Sequence, residues 1–194
     1  MKAIHFFFIG IISIVFLGCE NSKMANKLPI LGSIEGTNYA FLSQDSAVIT
    51  PANFEDKIYV TDFFFTTCPT ICPTMKAQML RVYEAFEKND NVMLLSHTID
   101  PQHDTVGVLK NYAEGLGVSS NTWLMVTGDK KEIFGVAEKY MVSALEDESQ
   151  PGGLVHSGAF VLIDKNKKIR GYYDGTKELD TNELIADMKI LLDE

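Results

Sequence analysis

From residue 57 onward the chain alternates between short, nearly continuous apolar runs and longer stretches in which apolar residues recur every three or four positions. The first pattern suits strands buried on both faces; the second suits helices with one buried stripe. Lys57–Phe65 (KIYVTDFFF) is the strongest strand, and Tyr39–Ser43 is a weaker one ahead of it. Pro73–Lys88 predicts a helix with Met75, Met79, Val82, Tyr83 and Phe86 on one face. Val92–Ile99 is a second buried strand, and a short helix follows Asp104, with Val106, Leu109, Tyr112 and Ala113 inward. Trp123–Val126 is another strand; Asp129 and Glu132 then form a capping box for a helix to Tyr140. The turn-rich stretch Glu146–Leu154 (EDESQPGGL) predicts a loop. Ser157–Asp164 and Lys168–Tyr173 are strands of a hairpin across DKNKK. Asp180 and Glu183 form a second capping box, for a last helix facing inward through Leu184, Ile185, Met188 and Leu191.

Strand, helix, strand, an insertion, then a hairpin and a closing helix is the thioredoxin order. The expected fold class is therefore α/β and thioredoxin-like, a central mixed β-sheet flanked by helices on both faces. Its site belongs at the carboxyl end of the Lys57–Phe65 strand, where open α/β sheets form their crevices.

The N-terminus departs from this pattern. Lys2 is followed by an uncharged stretch, Ala3–Gly18, rich in Phe, Ile and Leu. It is short for a membrane span and reads as a secretory signal over residues 1–18. Its end, FLGC, is similar to a lipoprotein processing site, which makes Cys19 the lipidated residue; an uncleaved anchor helix is the alternative. Residues 19–33 then serve as a tether and 34–194 as a single domain. Either way the domain is expected outside the cytoplasm, anchored to a membrane on its periplasmic side. Seventeen basic residues against 26 acidic ones give a net charge of −9. No basic cluster tracks a phosphate backbone, so nucleic acid is not an expected partner.

With Cys19 carrying lipid, Cys68 and Cys72 remain in an oxidising compartment. A disulfide closing so short a loop constrains the unfolded chain very little, so chemistry explains the pair better than stapling does. Each cysteine precedes a proline, which pushes both out of helical geometry and makes Cys72 the N-cap of the helix opening at Pro73. Both sulfurs then lie near the positive end of that helix, where a thiol pKa falls. The pair suits either a redox-active disulfide or a shared soft metal ion. An imidazole added to two thiolates keeps copper and zinc in play.

Four histidines are available. His5 lies in the signal. His156 enters the Ser157–Asp164 strand at the end that a thioredoxin order turns toward the dithiol, where redox enzymes of that fold carry a cis-proline. His97 reads as a core or hydrogen-bonding residue and His103 as a solvated one; Asp100 and Asp104 read as turn and N-cap residues.

TTCPTICP after an apolar strand, DPQHDT after the next, TGD before a helix, and HSGAFVLID leading into a hairpin together resemble the Sco/SenC copper-chaperone family. The resemblance covers roughly Tyr39 to Leu192. It implies a membrane-tethered, extracytoplasmic protein holding copper, as Cu(I) or Cu(II), through Cys68, Cys72 and His156. It also implies delivery to the dinuclear copper site of cytochrome c oxidase, the partner being the copper-bearing subunit or another copper-transfer protein. The family usually has Asp before the ligand histidine, whereas this chain has Val155, a loss that His97 could partly compensate. A thiol–disulfide oxidoreductase reducing the cysteines of that copper site is the alternative. A peroxidase fits less well, because Phe65 stands where a threonine would precede the reactive cysteine.

Overall fold

Three parallel strands carry the core, and their composition says why. In the computed structural model, which describes residues 27–149 and 153–194, the short strands β1 (Gly32–Ser33), β2 (Phe41–Ser43) and β3 (Val48–Ile49) come first. Then follow β4 (Ile58–Phe64), β5 (Val92–Thr98) and β6 (Trp123–Thr127), buried along their whole length. A strand covered on both faces cannot alternate, which is why these segments read as continuous apolar runs. Two antiparallel strands, β7 (Ala144–Glu146) and β8 (Leu154–His156), form a separate ribbon. The hairpin strands β9 (Ala159–Ile163) and β10 (Lys168–Asp174) complete the main sheet.

The eight strands run in the order β1-β10-β9-β4-β5-β6-β2-β3. β4, β5 and β6 are parallel, and antiparallel neighbours flank them on both sides. The crossovers are α1 (Cys72–Phe86) and α2 (Val106–Leu116); α3 (Lys130–Lys139) precedes the ribbon and α4 (Glu178–Asp193) closes the chain. α1 packs on α4, and α4 reaches β10 and β4. The predicted inward faces hold for α1 and most of α4: Met75, Met79, Val82, Tyr83 and Phe86 are buried, as are Leu184, Met188 and Leu191, whereas Ile185 is only partly buried. The expected mixed sheet with its covering helices is therefore present.

Four local readings change. Cys72 is the first residue of α1 rather than its N-cap, which is Ile71. Pro73 tolerates this because the first N–H groups of a helix have no internal partner to lose. The N-cap of α2 is Thr105, whose hydroxyl accepts from the Val108 N–H, and Asp104 is turned into the protein instead. α4 starts at Glu178, with Asp180 inside its first turn, where the carboxylate accepts from the Asp174 N–H. The stretch around residues 144–156 contains β7 and β8, and His156 ends β8 instead of entering β9. These strands are three residues each, too short to show a period.

Residues 1–26, which include the proposed signal and Cys19, lie outside the described residues. The segment after them joins the fold. β1 pairs with β10, and the buried Arg170 guanidinium donates to the Leu28 and Pro29 carbonyls. The C-terminal end of the 19–33 stretch therefore packs on the domain. Arg170 also holds Asp164 at 2.8 Å and Glu194 at 3.0 Å, tying the Leu28–Pro29 segment and the C-terminal residue to the hairpin.

Candidate metal centre

β4 delivers the chain to its carboxyl end at Phe64, and the next seven residues loop over the sheet edge before α1 begins. Cys68 sits in that loop, in a turn closed by its own N–H donating to the Phe65 carbonyl at 3.2 Å. Cys72 is one helical position into α1. His156, 84 residues later, comes back over them on the ribbon, paired with Ala144. One ligand atom from each of Cys68, Cys72 and His156 falls within 4.8 Å of the other two. Among the described residues this is the one group of three or more Cys, His, Asp or Glu placed to share an ion. The three are only 9%, 5% and 7% exposed, so the site is screened from bulk solvent yet borders a cleft formed by Phe65, Ile71, Leu154 and Val155.

The histidine is oriented by its backbone partner. The Ser157 carbonyl can only accept, so the Nδ1–H donates to it at 3.0 Å. That leaves a lone pair on Nε2, which faces the Cys72 sulfur at 3.1 Å and accepts the thiol proton. A ring nitrogen with its lone pair fixed toward two sulfurs is the tautomer a metal requires. Burial lowers the His156 pKa, partly offset by the bond to Ser157, so the ring stays neutral below the usual histidine range.

The two thiols are unequal, contrary to the expectation that both fall. Burial pushes Cys68 up, but hydrogen bonding with Cys72 and with the Thr70 and Cys72 backbone outweighs it, and the net shift is downward. Burial pushes Cys72 well up, and the neighbouring Cys68 adds to this. Desolvation beats the helix terminus at Cys72 because its sulfur points inward. Cys68 is accordingly the readier thiolate.

His97 is elsewhere. It is fully buried, stacked on Phe63 with ring centroids 4.8 Å apart, and edge-on to Phe41. Thr61 Oγ1 donates to the Leu95 carbonyl, so it accepts from His97 Nδ1–H at 3.1 Å. Burial drives its pKa down to about 3, which keeps it a neutral core residue. It does not stand with the three donors. His103 is exposed, as expected.

Two carboxylates lie near the site, one not singled out in the sequence and the other read there only as a helix cap. Asp62 is buried in β4, accepts from Ser96 Oγ at 2.5 Å, and borders the same small cavity as Cys72 and Tyr112. Its signal was present: one acid inside an otherwise apolar strand. Burial raises its pKa to about 7, against the Ser96 hydrogen bond. Because the folded pKa lies above the unfolded one, the folded state holds a proton the unfolded state releases, and stability falls as pH rises from about 4 to about 7. Asp62→Asn removes that slope. It is expected to stabilise the protein by roughly 2–4 kcal/mol at pH 8 and by little at pH 4, checked by urea unfolding at both. Equal effects at the two pH values would refute the assignment. The second carboxylate is Asp104, which accepts from the Thr66 N–H at 3.0 Å on the loop that carries Cys68.

The family model described as SCO1/SenC matches residues 30–193. The SCO1 protein homolog of Bacillus subtilis (strain 168) is 26% identical over 191 residues, 97% of each chain. The solved structure of BsSco, described by a disulfide switch and as a member of the Sco family of cytochrome c oxidase assembly proteins, is 26% identical. It superposes with a TM-score of 0.73 over 85% of this chain and 97% of that one. The structure of Bradyrhizobium japonicum ScoI with copper bound shares the fold, with 24% identity and a TM-score of 0.66 over 79% of this chain and 97% of that one.

Proposed function

Because this chain belongs to the SCO1/SenC family, we propose that it is a membrane-tethered copper chaperone that serves assembly of the dinuclear copper centre of cytochrome c oxidase. The observation that carries the reading is the convergence of two sulfurs and one lone-pair nitrogen, from residues 68, 72 and 156, within 4.8 Å. Thiolate sulfur favours Cu(I), and the imidazole extends the site to Cu(II). Two sulfurs are too few for an iron–sulfur cluster, and a closed structural zinc site would take a fourth protein ligand. Copper is the cargo. Cys68 offers the first thiolate, Cys72 releases its proton as the second sulfur engages, and Ser157 holds the His156 ring in place. Three donors leave room for an incoming ligand from a partner, which is how an ion passes on by exchange. The tether is proposed from the sequence: lipid on Cys19 after removal of residues 1–18, with the domain outside the cytoplasm.

Transfer is the test. Copper-loaded full chain mixed with the copper-free, reduced copper-bearing oxidase subunit is expected to lose its metal to that subunit, followed by metal analysis after separation. Retention of copper by this chain would sink the reading.

The inequality of Cys68 and Cys72 favours a second activity on the same residues, thiol–disulfide exchange with the partner's cysteines. A low-pKa thiol attacks and a buried partner resolves. The disulfide and the metal-bound form exclude one another, so the two activities alternate.

A further inference from the structure

The DPQHDT segment is not accounted for by the three donors. Its spacing makes a single helical turn at the end of β5: the Asp104 N–H donates to the Asp100 carbonyl at 2.8 Å, and the Asp100 N–H donates to Thr98 Oγ1 at 3.0 Å. That turn leaves His103 exposed and directs Asp104, which is fully buried, toward the loop that bears Cys68. One oxygen, Oδ2, accepts from the Thr66 N–H at 3.0 Å and from Thr98 Oγ1 at 2.6 Å. The other, Oδ1, accepts from the Thr66 hydroxyl. Thr66 is thus gripped by both its backbone and its side chain, two residues ahead of Cys68. The Cys68 N–H bond to Phe65 is internal to the same turn, so it shapes the loop without fixing it to the body of the protein.

We infer that Asp104 is a positioning residue for Cys68: by anchoring Thr66 to the end of β5 it holds the first thiol in register with Cys72 and His156. The inference rests on the proposed copper site and adds what keeps that site assembled. The chemistry needs a carboxylate there. Three donors converge on two acceptor oxygens, and a carboxylate accepts on both while offering no competing N–H. Because both oxygens are engaged, Thr66 is held at two points rather than one, which suits a group that must stop a loop from drifting. Asparagine at 104 would turn an NH2 toward donors. Valine at 66 would keep the backbone bond and lose the hydroxyl one, and serine at 66 would keep both.

The test compares Asp104→Asn, Thr66→Val and Thr66→Ser in the full chain. The first readout uses metal-free, reduced protein: the rate of alkylation of Cys68 relative to Cys72, resolved by peptide mapping. The second is copper affinity by chelator competition, and the third is the urea unfolding midpoint. Asp104→Asn and Thr66→Val are expected to raise the Cys68-to-Cys72 alkylation ratio about tenfold and to weaken copper binding about 10- to 100-fold, the range for losing a group that orients a metal ligand. Thr66→Ser is expected to match wild type. A lowered unfolding midpoint with an unchanged alkylation ratio and affinity would show a merely structural acid and overturn the inference. Should Asp104→Asn not fold, the two Thr66 variants decide the same question, because Thr66 is only partly buried. A wild-type chain that bound no copper would refute the proposed function, whereas the alkylation ratio would still decide the role of Asp104.

Discussion

Replacing His156 with alanine is expected to lower copper affinity by more than about a hundredfold while leaving the fold and the reactivity of Cys68 in place. Loss of a group that merely orients a ligand costs about 10- to 100-fold, and this substitution removes a donor outright. Cys68 and Cys72 alone would bind a Cu(I) ion as a two-coordinate pair, so the loss should be larger for Cu(II), which depends on the nitrogen. The ring lies at the end of a short ribbon beside a cleft, with Phe65 edge-on at 6.1 Å, so its removal does not empty the main core. Chelator competition in both oxidation states, paired with the unfolding midpoint, checks the result. Intact copper binding in the variant would remove His156 from the site. Intact thiol exchange alongside lost copper binding would separate the two activities proposed for the dithiol.

The second large effect concerns stability at the opposite end of β10 from the site. Arg170→Met is expected to destabilise the protein by roughly 3–5 kcal/mol, the cost of stranding a buried charge by removing its partner. The Arg170 and Asp164 side chains are 3% and 7% exposed, and the same guanidinium holds the Leu28 and Pro29 carbonyls and Glu194. Asp164 keeps the N–H groups of Asn166 and Lys168 after the change, which favours the lower end of that range. The double variant Arg170→Met/Asp164→Asn should recover much of the loss, because it no longer buries an unpaired carboxylate. Urea unfolding of the two singles and the double closes the cycle. A single-variant loss no greater than about 1 kcal/mol would mean that the pair behaves as an exposed one.

How much of this was legible depended on whether a signal was local. Met75, Met79, Val82, Tyr83 and Phe86 announced α1 because helix burial repeats at a fixed spacing that survives in one dimension. β4 and β5 announced themselves by largely apolar runs without a helical period. β7 and β8 did not, because three residues in a ribbon carry too few positions to show a period. Asp104 looked like a helix cap because Asp before a helix usually is one; its actual use as a triple acceptor depends on Thr66, which lies 38 residues away. Asp62 was visible as an oddity but not as a partner of Ser96.

The family resemblance carried the expected site further than spacing could. Cys68 and Cys72 pointed to thiol chemistry through their number, separation and prolines, the thioredoxin order turned His156 toward them, and the resemblance to Sco/SenC proteins made the three a copper ligand set. What a sequence does not encode locally is which side of a folded sheet each segment presents, or how deep each group lies. The unequal thiols are the clearest case: both cysteines flank one helix terminus, yet burial sends Cys72 up while hydrogen bonds bring Cys68 down.

From its order of residues alone, this chain fixed its secondary structure in outline, its fold class and its two neighbouring thiols, because each is set by contacts or periods a few residues long. The tertiary structure alone decided which nitrogen of His156 faces those thiols, how unequal the two thiols are, and which buried carboxylate steadies their loop. Those outcomes depend on atoms distant in the chain and on the free energy of removing charge from water, and both take their values only once the sheet has closed over them.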